Sequence, residues 1–254
     1  MAKFEGKVVL VTGAGSGIGE GTARRFARDG AMVVLAGRTA EKLQRVAQDL
    51  DPARTLVHAA DVSDEGQVKG LVQAAVERFG RLDVLVNNAG VATTGFFGEL
   101  SFEDWRKVMA TDVDGVFLCC HAALPHLLKS RGCIVNISSV SGIGGDWDMS
   151  AYNAAKGAVT NFTRALAMDL AEKGVRVNAV NPTFTLTDLT RDMAKDEALV
   201  AKFKARIPLG RPAEPADIAD VIAFLASEDA RFVTGVNLPV DGGLSASNGQ
   251  PRQA

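Results

Sequence analysis

Tyrosine is nearly missing from this sequence: Tyr152 is the only one among 254 residues. Histidine is scarce too, with three residues, and His58, His121 and His126 form no cluster with carboxylates. They read as structural, and no metal site is expected. Cys119, Cys120 and Cys133 show neither disulfide nor zinc spacing, which fits reduced thiols in a core. An excess of one charge is also lacking. Twenty-eight Lys and Arg against thirty Asp and Glu leave −2, with no basic stripe for nucleic acid and no charged tail for a membrane surface. The longest apolar run, Val116 to Leu128, is interrupted by His121, Pro125 and His126 and is too short to span a bilayer. The first residues, Met-Ala-Lys-Phe-Glu-Gly-Lys, carry charge where a signal peptide needs apolar side chains. A cytoplasmic, enzyme-sized chain with no nucleic-acid or membrane partner is the expectation.

Hydrophobic residues, by contrast, make up 47% of the chain, enough for a substantial core. Short apolar runs recur at Val8–Val11, Met32–Ala36, Leu56–Ala60, Val84–Asn87, Cys133–Ser138, Val175–Val180 and Val236–Val240. They are apolar almost throughout, as strands covered on both faces should be. Helical spacing lies between them, at Glu20–Asp29, Glu41–Leu50, Glu65–Arg78, Phe102–Lys129, Ala151–Lys173 and Pro215–Ala226. This alternation predicts an α/β fold, a doubly wound parallel sheet with helices on both faces. No linker or repeat divides the chain, so residues 1–254 read as a single domain. Residues 183–214 break the pattern and read as a substrate-loop insertion over the carboxyl ends of the strands, where ligands bind in such sheets.

The first strand runs into Thr12-Gly13-Ala14-Gly15-Ser16-Gly17-Ile18-Gly19. Glycines let the backbone turn tightly and approach a pyrophosphate, and the helix that follows offers unpaired N–H groups to it. The second strand ends Leu35-Ala36-Gly37-Arg38, with no carboxylate to bond a ribose 2′-hydroxyl. Arg38 is therefore a candidate 2′-phosphate ligand, which favours NADP(H) over NAD(H). The alternative is a solvent-facing arginine near a helix start. Glu41, Lys42, Arg24, Arg25 and Arg28 read as wet helix faces.

The single tyrosine has a lysine four positions later, Tyr152-Asn153-Ala154-Ala155-Lys156, one turn along the same helix face. A phenol is a poor acid or base near neutrality, and a neighbouring ammonium favours its phenolate. Ser139, at the end of the fifth strand, could hold a substrate oxygen by a hydrogen bond. A core tyrosine beside a surface lysine on an amphipathic helix is the plain alternative.

Taken together, Thr12–Gly19, Asp61-Val62, Asn87-Asn88-Ala89-Gly90, Ser139, Tyr152-x-x-x-Lys156, Asn181-Pro182 and Val240–Gly243 resemble the short-chain dehydrogenase/reductase family over essentially the whole chain. The resemblance implies a Rossmann-like fold, a nicotinamide cofactor and oxidoreduction at a CH–OH group. It implies Tyr152 as general acid/base, Lys156 on the nicotinamide ribose and Ser139 on the carbonyl. It also implies a cofactor site made by Gly13, Ser16, Gly17, Ile18, Gly19, Asp61, Val62, Asn88, Ala89, Gly90, Pro182, Thr185 and Thr187, and a homotetramer. Two positions depart from the pattern. Asp112 stands where the family has an asparagine that helps hold a proton-relay water, and it could pair with Lys156. Thr183 stands where the family has glycine.

Within the family, Ser141–Trp147, Leu209-Gly210-Arg211 and the ending through Gly249-Gln250-Pro251 resemble bacterial acetoin/2,3-butanediol dehydrogenases, which generally use NAD and have an acidic second-strand tip; Gly37-Arg38 departs from that. Trp147, Phe184, Leu189 and Met193 are candidates for an apolar substrate wall. Asp146 and Asp148 read as a solvated turn. The expected activity is hydride transfer with a small hydroxyketone, diketone or diol. A 3-oxoacyl-thioester reductase would want a basic patch for its carrier, and none is evident. A dinucleotide-sensing scaffold would have no need of Ser139, Tyr152 and Lys156 together.

Overall fold

The seven apolar runs form β1 (Val8–Thr12), β2 (Met32–Gly37), β3 (Thr55–Ala59), β4 (Val84–Asn87), β5 (Cys133–Ile137), β6 (Arg176–Pro182) and β7 (Asn237–Val240). The computed structural model describes residues 3–250, so Pro251 of the carboxyl-terminal motif lies outside the described residues. All seven strands are parallel in one sheet, in the order β3-β2-β1-β4-β5-β6-β7. The order reverses between β1 and β4, and the crevice at such a reversal is where open α/β sheets bind ligands.

One face of the sheet is covered by α1 (Gly17–Arg28), α2 (Ala40–Ala47) and α9 (Pro215–Ala226). The other is covered by α3 (Glu65–Phe79), α5 (Gly115–Ser130) and α6 (Ser150–Leu170). The strand side chains alternate between the two. Val9 and Val11 pack with Phe26, Leu43 and Ile222, while Val8 and Leu10 pack with Leu71, Leu127 and Val159. Burial on both sides is why the five inner strands read as unbroken apolar runs, each fully buried side chain contributing about 1.5–3 kcal/mol.

The stretch expected as one helix, 102–129, is continuous but not uniform. α4 (Phe102–Met109) passes through a π-helical segment, Ala110–Asp114, into α5. The apolar run from Val116 to Leu128 is itself too short to cross a bilayer, but it lies within a longer helix. The whole helix spans 29 residues and includes a window of mean hydropathy 1.2, enough by length and composition. Here its apolar side chains Val116, Cys119, Cys120, Ala123 and Leu127 pack on the sheet.

The insertion at 183–214 does carry structure: α7 (Arg191–Lys195) and α8 (Glu197–Arg206), the latter capped by Asp196, which accepts from Leu199 N–H at 3.0 Å. Its two ends are tied together, Leu186 N–H to Ala213 O at 2.8 Å and Ala213 N–H to Phe184 O at 2.9 Å. The insertion therefore stands on the carboxyl edge of the sheet as a clamped loop.

Candidate active site

The glycine loop turns through left-handed backbone at Gly13 (φ 64°) and Gly17 (φ 54°), a region costly for any residue with a Cβ. Ser16 caps α1 with extended backbone and makes no side-chain cap bond. The first-turn N–H groups of Gly17, Ile18 and Gly19 thus lack intrahelical partners, as an anion site requires. Thr12 joins this loop to the end of β4. Its Oγ1 accepts from Asn88 and Ala89 N–H, both at 3.0 Å, and Asn88 Nδ2 donates back to Thr12 O at 2.9 Å.

A cavity of about 260 Å³ opens at this point. Gly13, Ser16, Gly17, Ile18, Asn88, Ala89 and Gly90 form its floor. Asp112, Ser139, Tyr152 and Lys156 form one wall, and Pro182, Thr185 and Thr187 the other. An adjoining cavity of about 180 Å³ is lined by Arg38, Asp61 and Val62. Gly19 lines neither. It lies behind the loop, where an added Cβ would meet Gly13 O at 2.2 Å, so its place is in the packing of helix against strand. A dinucleotide fits these features: glycines where a Cβ would intrude, unpaired N–H groups, and two joined cavities along the loop.

At the adenosine end Arg38 is exposed. Asp61 is turned to its own loop, its Oδ1 accepting from Ser63 N–H at 2.9 Å and Oγ at 2.7 Å. Lys42 lies on a solvent-exposed helix face and has a second property. It lines the cavity beside Arg38, and its Nζ reaches Asp188 of the insertion at 2.9 Å. Its position one turn beyond Arg38 was the available signal.

At the other end, β5 delivers Ser139 and α6 delivers Tyr152 and Lys156. Asn181 Nδ2 holds Ser139 O at 2.8 Å. Ser139 Oγ donates to Ser141 Oγ at 3.0 Å, and Ser141 in turn donates to Asp146, so Asp146 is not merely a solvated turn. Asp148 keeps a turn geometry, with φ 58°. Lys156 is buried, its Nζ 5.4 Å from the centre of the Tyr152 ring and donating to Ile137 O at 3.0 Å. Asp112, placed by the π segment, is fully buried and sits 2.9 Å from Lys156 Nζ. Burial alone would lower the Lys156 pKa, but Asp112 and the Tyr152 oxygen outweigh it and the net direction is up.

The apolar wall is only partly assembled. Leu189 lines the cavity. Trp147 is 91% exposed, and Phe184 is buried against Phe203, ring centres 4.6 Å apart. Met193 lies on α7 and does not line the cavity. Thr183 does, with Thr190 beside it, neither of them assigned a role from the sequence. The cysteines are buried free thiols, and desolvation pushes Cys133 up to about 11. Among the described residues no three His, Cys, Asp or Glu side chains gather as a metal site.

The family described as Enoyl-(Acyl carrier protein) reductase matches residues 13–245. Meso-2,3-butanediol dehydrogenase of Serratia marcescens is 50% identical over 250 residues, covering 98% of this chain and 99% of the relative. A 3-oxoacyl-[acyl-carrier-protein] reductase of Thermotoga maritima is 40% identical, over 95% and 99%. Among solved structures, a 3-ketoacyl-(acyl-carrier-protein) reductase from Brucella melitensis complexed with NADH superposes with a TM-score of 0.89. It is 39% identical and covers 95% of this chain and 99% of its own.

Proposed function

Given that the chain belongs to the short-chain dehydrogenase/reductase family, we propose that it interconverts small hydroxyketones or diketones with the matching diols, preferring NADP(H) and accepting NAD(H). The chain is a pyridine-nucleotide-dependent oxidoreductase acting on a small secondary alcohol/ketone pair. The observation that carries the substrate class is 50% identity to a butanediol dehydrogenase across nearly the whole of both chains. The three buried free thiols fit a reducing compartment, and a cytoplasmic homotetramer completes the proposal.

A bound nicotinamide supplies the hydride in reduction and takes it in oxidation. In this proposal the glycine loop and the first turn of α1 would hold the pyrophosphate, Val62 and Asp61 would meet adenine, and Thr185 and Thr187 would contact the nicotinamide end. Ser139 Oγ swings from Ser141 to hold the substrate oxygen. Tyr152 gives its proton to that oxygen in reduction and removes it in oxidation. Lys156 would hold the ribose, with its ammonium 5.4 Å from the centre of the phenol ring.

A thioester reading is favoured by the Thermotoga and Brucella relatives, both named as 3-oxoacyl or 3-ketoacyl carrier-protein reductases. Turnover of acetoin, diacetyl and 2,3-butanediol against a 3-oxoacyl thioester separates the two. Preference for the thioester would overturn the diol reading. Tyr152→Phe is expected to lower turnover by about 10²–10⁴-fold while reduced-cofactor binding is kept. Turnover near that of the parent enzyme would remove Tyr152 from the mechanism.

A further inference from the structure

We propose that Asp112 sets the charge of this site: its carboxylate cancels the Lys156 ammonium, so that Tyr152 keeps its proton until a positively charged oxidised nicotinamide is present. The argument begins with hydrogen-bond donors. Asp112 stands between two of them, Val91 N–H, bonded to Oδ1 at 2.8 Å, and Lys156 Nζ, 2.9 Å from Oδ2. A carboxylate offers an acceptor to each, whereas an asparagine amide would turn its own donor on one of them. The carboxylate thus meets one donor through a hydrogen bond and the ammonium through proximity of charge.

The second contact is chiefly electrostatic. Lys156 directs its hydrogen bond to Ile137 O, and Oδ2 finds no partner of good hydrogen-bond geometry. Asp112 is 0% and Lys156 4% exposed, so bulk water screens the pair only weakly. Among the described residues, the surrounding elements place no other buried charge beside this pair. On α4, which packs against α6, Glu103, Arg106 and Lys107 are exposed and half-buried Asp104 accepts from Ser101 Oγ at 2.7 Å; Asp114 in the π segment is exposed. Beyond β5, Asp146 is exposed and bonded to Ser141, and beyond β6, Asp188 is paired with Lys42 and Arg191. The buried charges beside the phenol are thus one positive and one negative. An unpaired lysine there would favour phenolate in the free enzyme, and the pair withdraws that help. Asp112 is in this sense a positioning residue that acts through Lys156.

The inference rests on Tyr152 as the proton-exchanging group, and the chain offers a direct probe of it. Because Tyr152 is the only tyrosine, the near-ultraviolet absorbance of tyrosinate reports this one side chain. Titration of the cofactor-free protein is expected to show a midpoint about one pH unit lower in Asp112→Asn and in Asp112→Ser than in the parent. Adding NADP⁺ to the unmutated protein should lower its midpoint too, a measurement that needs no variant to fold. Coinciding midpoints in parent and natively folded neutral variants would overturn the inference, and so would an oxidised cofactor that moves nothing. The readout is independent of turnover. If Tyr152→Phe remains active the mechanism fails, whereas unmoved midpoints with an inactive Tyr152→Phe remove only the role of Asp112.

Discussion

Arg38 and Lys42 face the same cavity, and among the described residues only Lys42 has an acidic partner there. A 2′-phosphate would meet Arg38 directly, and Lys42 would exchange Asp188 for the phosphate. A charge-assisted bond of this kind contributes about 1.5–3 kcal/mol, roughly ten- to hundredfold in affinity. Fluorescence titration of the reduced cofactors is accordingly expected to favour NADPH over NADH by at least about tenfold, and Arg38→Asp should reverse the order. Equal affinities would leave Arg38 as a solvent-facing side chain. At this scale the sequence is readable where chemistry is local. The glycine loop and Tyr152–Lys156 are contained in short spacings, and the fold brings them to one cavity. The Lys42–Asp188 contact joins residues 146 positions apart, and no local pattern encodes it. Pairing of Asp112 with Lys156 was one option suggested by an unusual residue type; the distance had to come from the fold.

Elements were legible in proportion to how much apolar surface they bury. The five inner strands, β1, β2, β4, β5 and β6, were visible because two helix layers cover them, and β3 and β7, at the edges and only half-buried, because their apolar runs are short and bounded. α7 and α8 were not, because none of their residues is buried and little periodicity marks them. The start of α9 shows what holds such a region together. Asp217 accepts from Glu214 N–H at 2.7 Å and from both amino groups of Arg211, at 2.6 and 2.8 Å. The hydrogen bond from Arg211 chiefly holds the Asp217 carboxyl down at about 2. A carboxylate whose pKa is lower in the folded state stabilises above its unfolded value, near 3.9, and that support is lost as pH falls through the folded value. Asp217→Asn should therefore lower the midpoint of thermal unfolding by a few degrees near neutrality, for a cap contribution of about 1 kcal/mol. The gap between variant and parent should narrow as pH drops from about 5 towards about 2. A gap that stays constant over that range would show that the Asp217 charge is not what supports α9.

For the molecule as a whole, the layer containing α5 and α6 exposes Phe117 (51%) and Met168 (80%), and Phe232 near β7 is fully exposed. Apolar side chains of this size on the outside fit an assembly of several copies. Sedimentation equilibrium is expected to give about four times 26.7 kDa. Phe117→Glu with Met168→Glu should yield smaller species, and a parent that sediments as a monomer would rule the tetramer out.

The π-helical segment Ala110–Asp114 has a bearing on the whole architecture as well as on Asp112. It lets one rod serve two neighbours, since α4 packs against α6 whereas α5 packs against α3 and β4. Each residue of an α-helix advances the direction of its side chain by about 100°. Deleting one residue here would turn one half of the rod against the other by about that angle. Either the carboxylate would leave the lysine or the core-facing stripe of α5 would leave the sheet. The length of this helix is thus a phase setting, and single-residue insertions or deletions within it should be among the least tolerated in the chain.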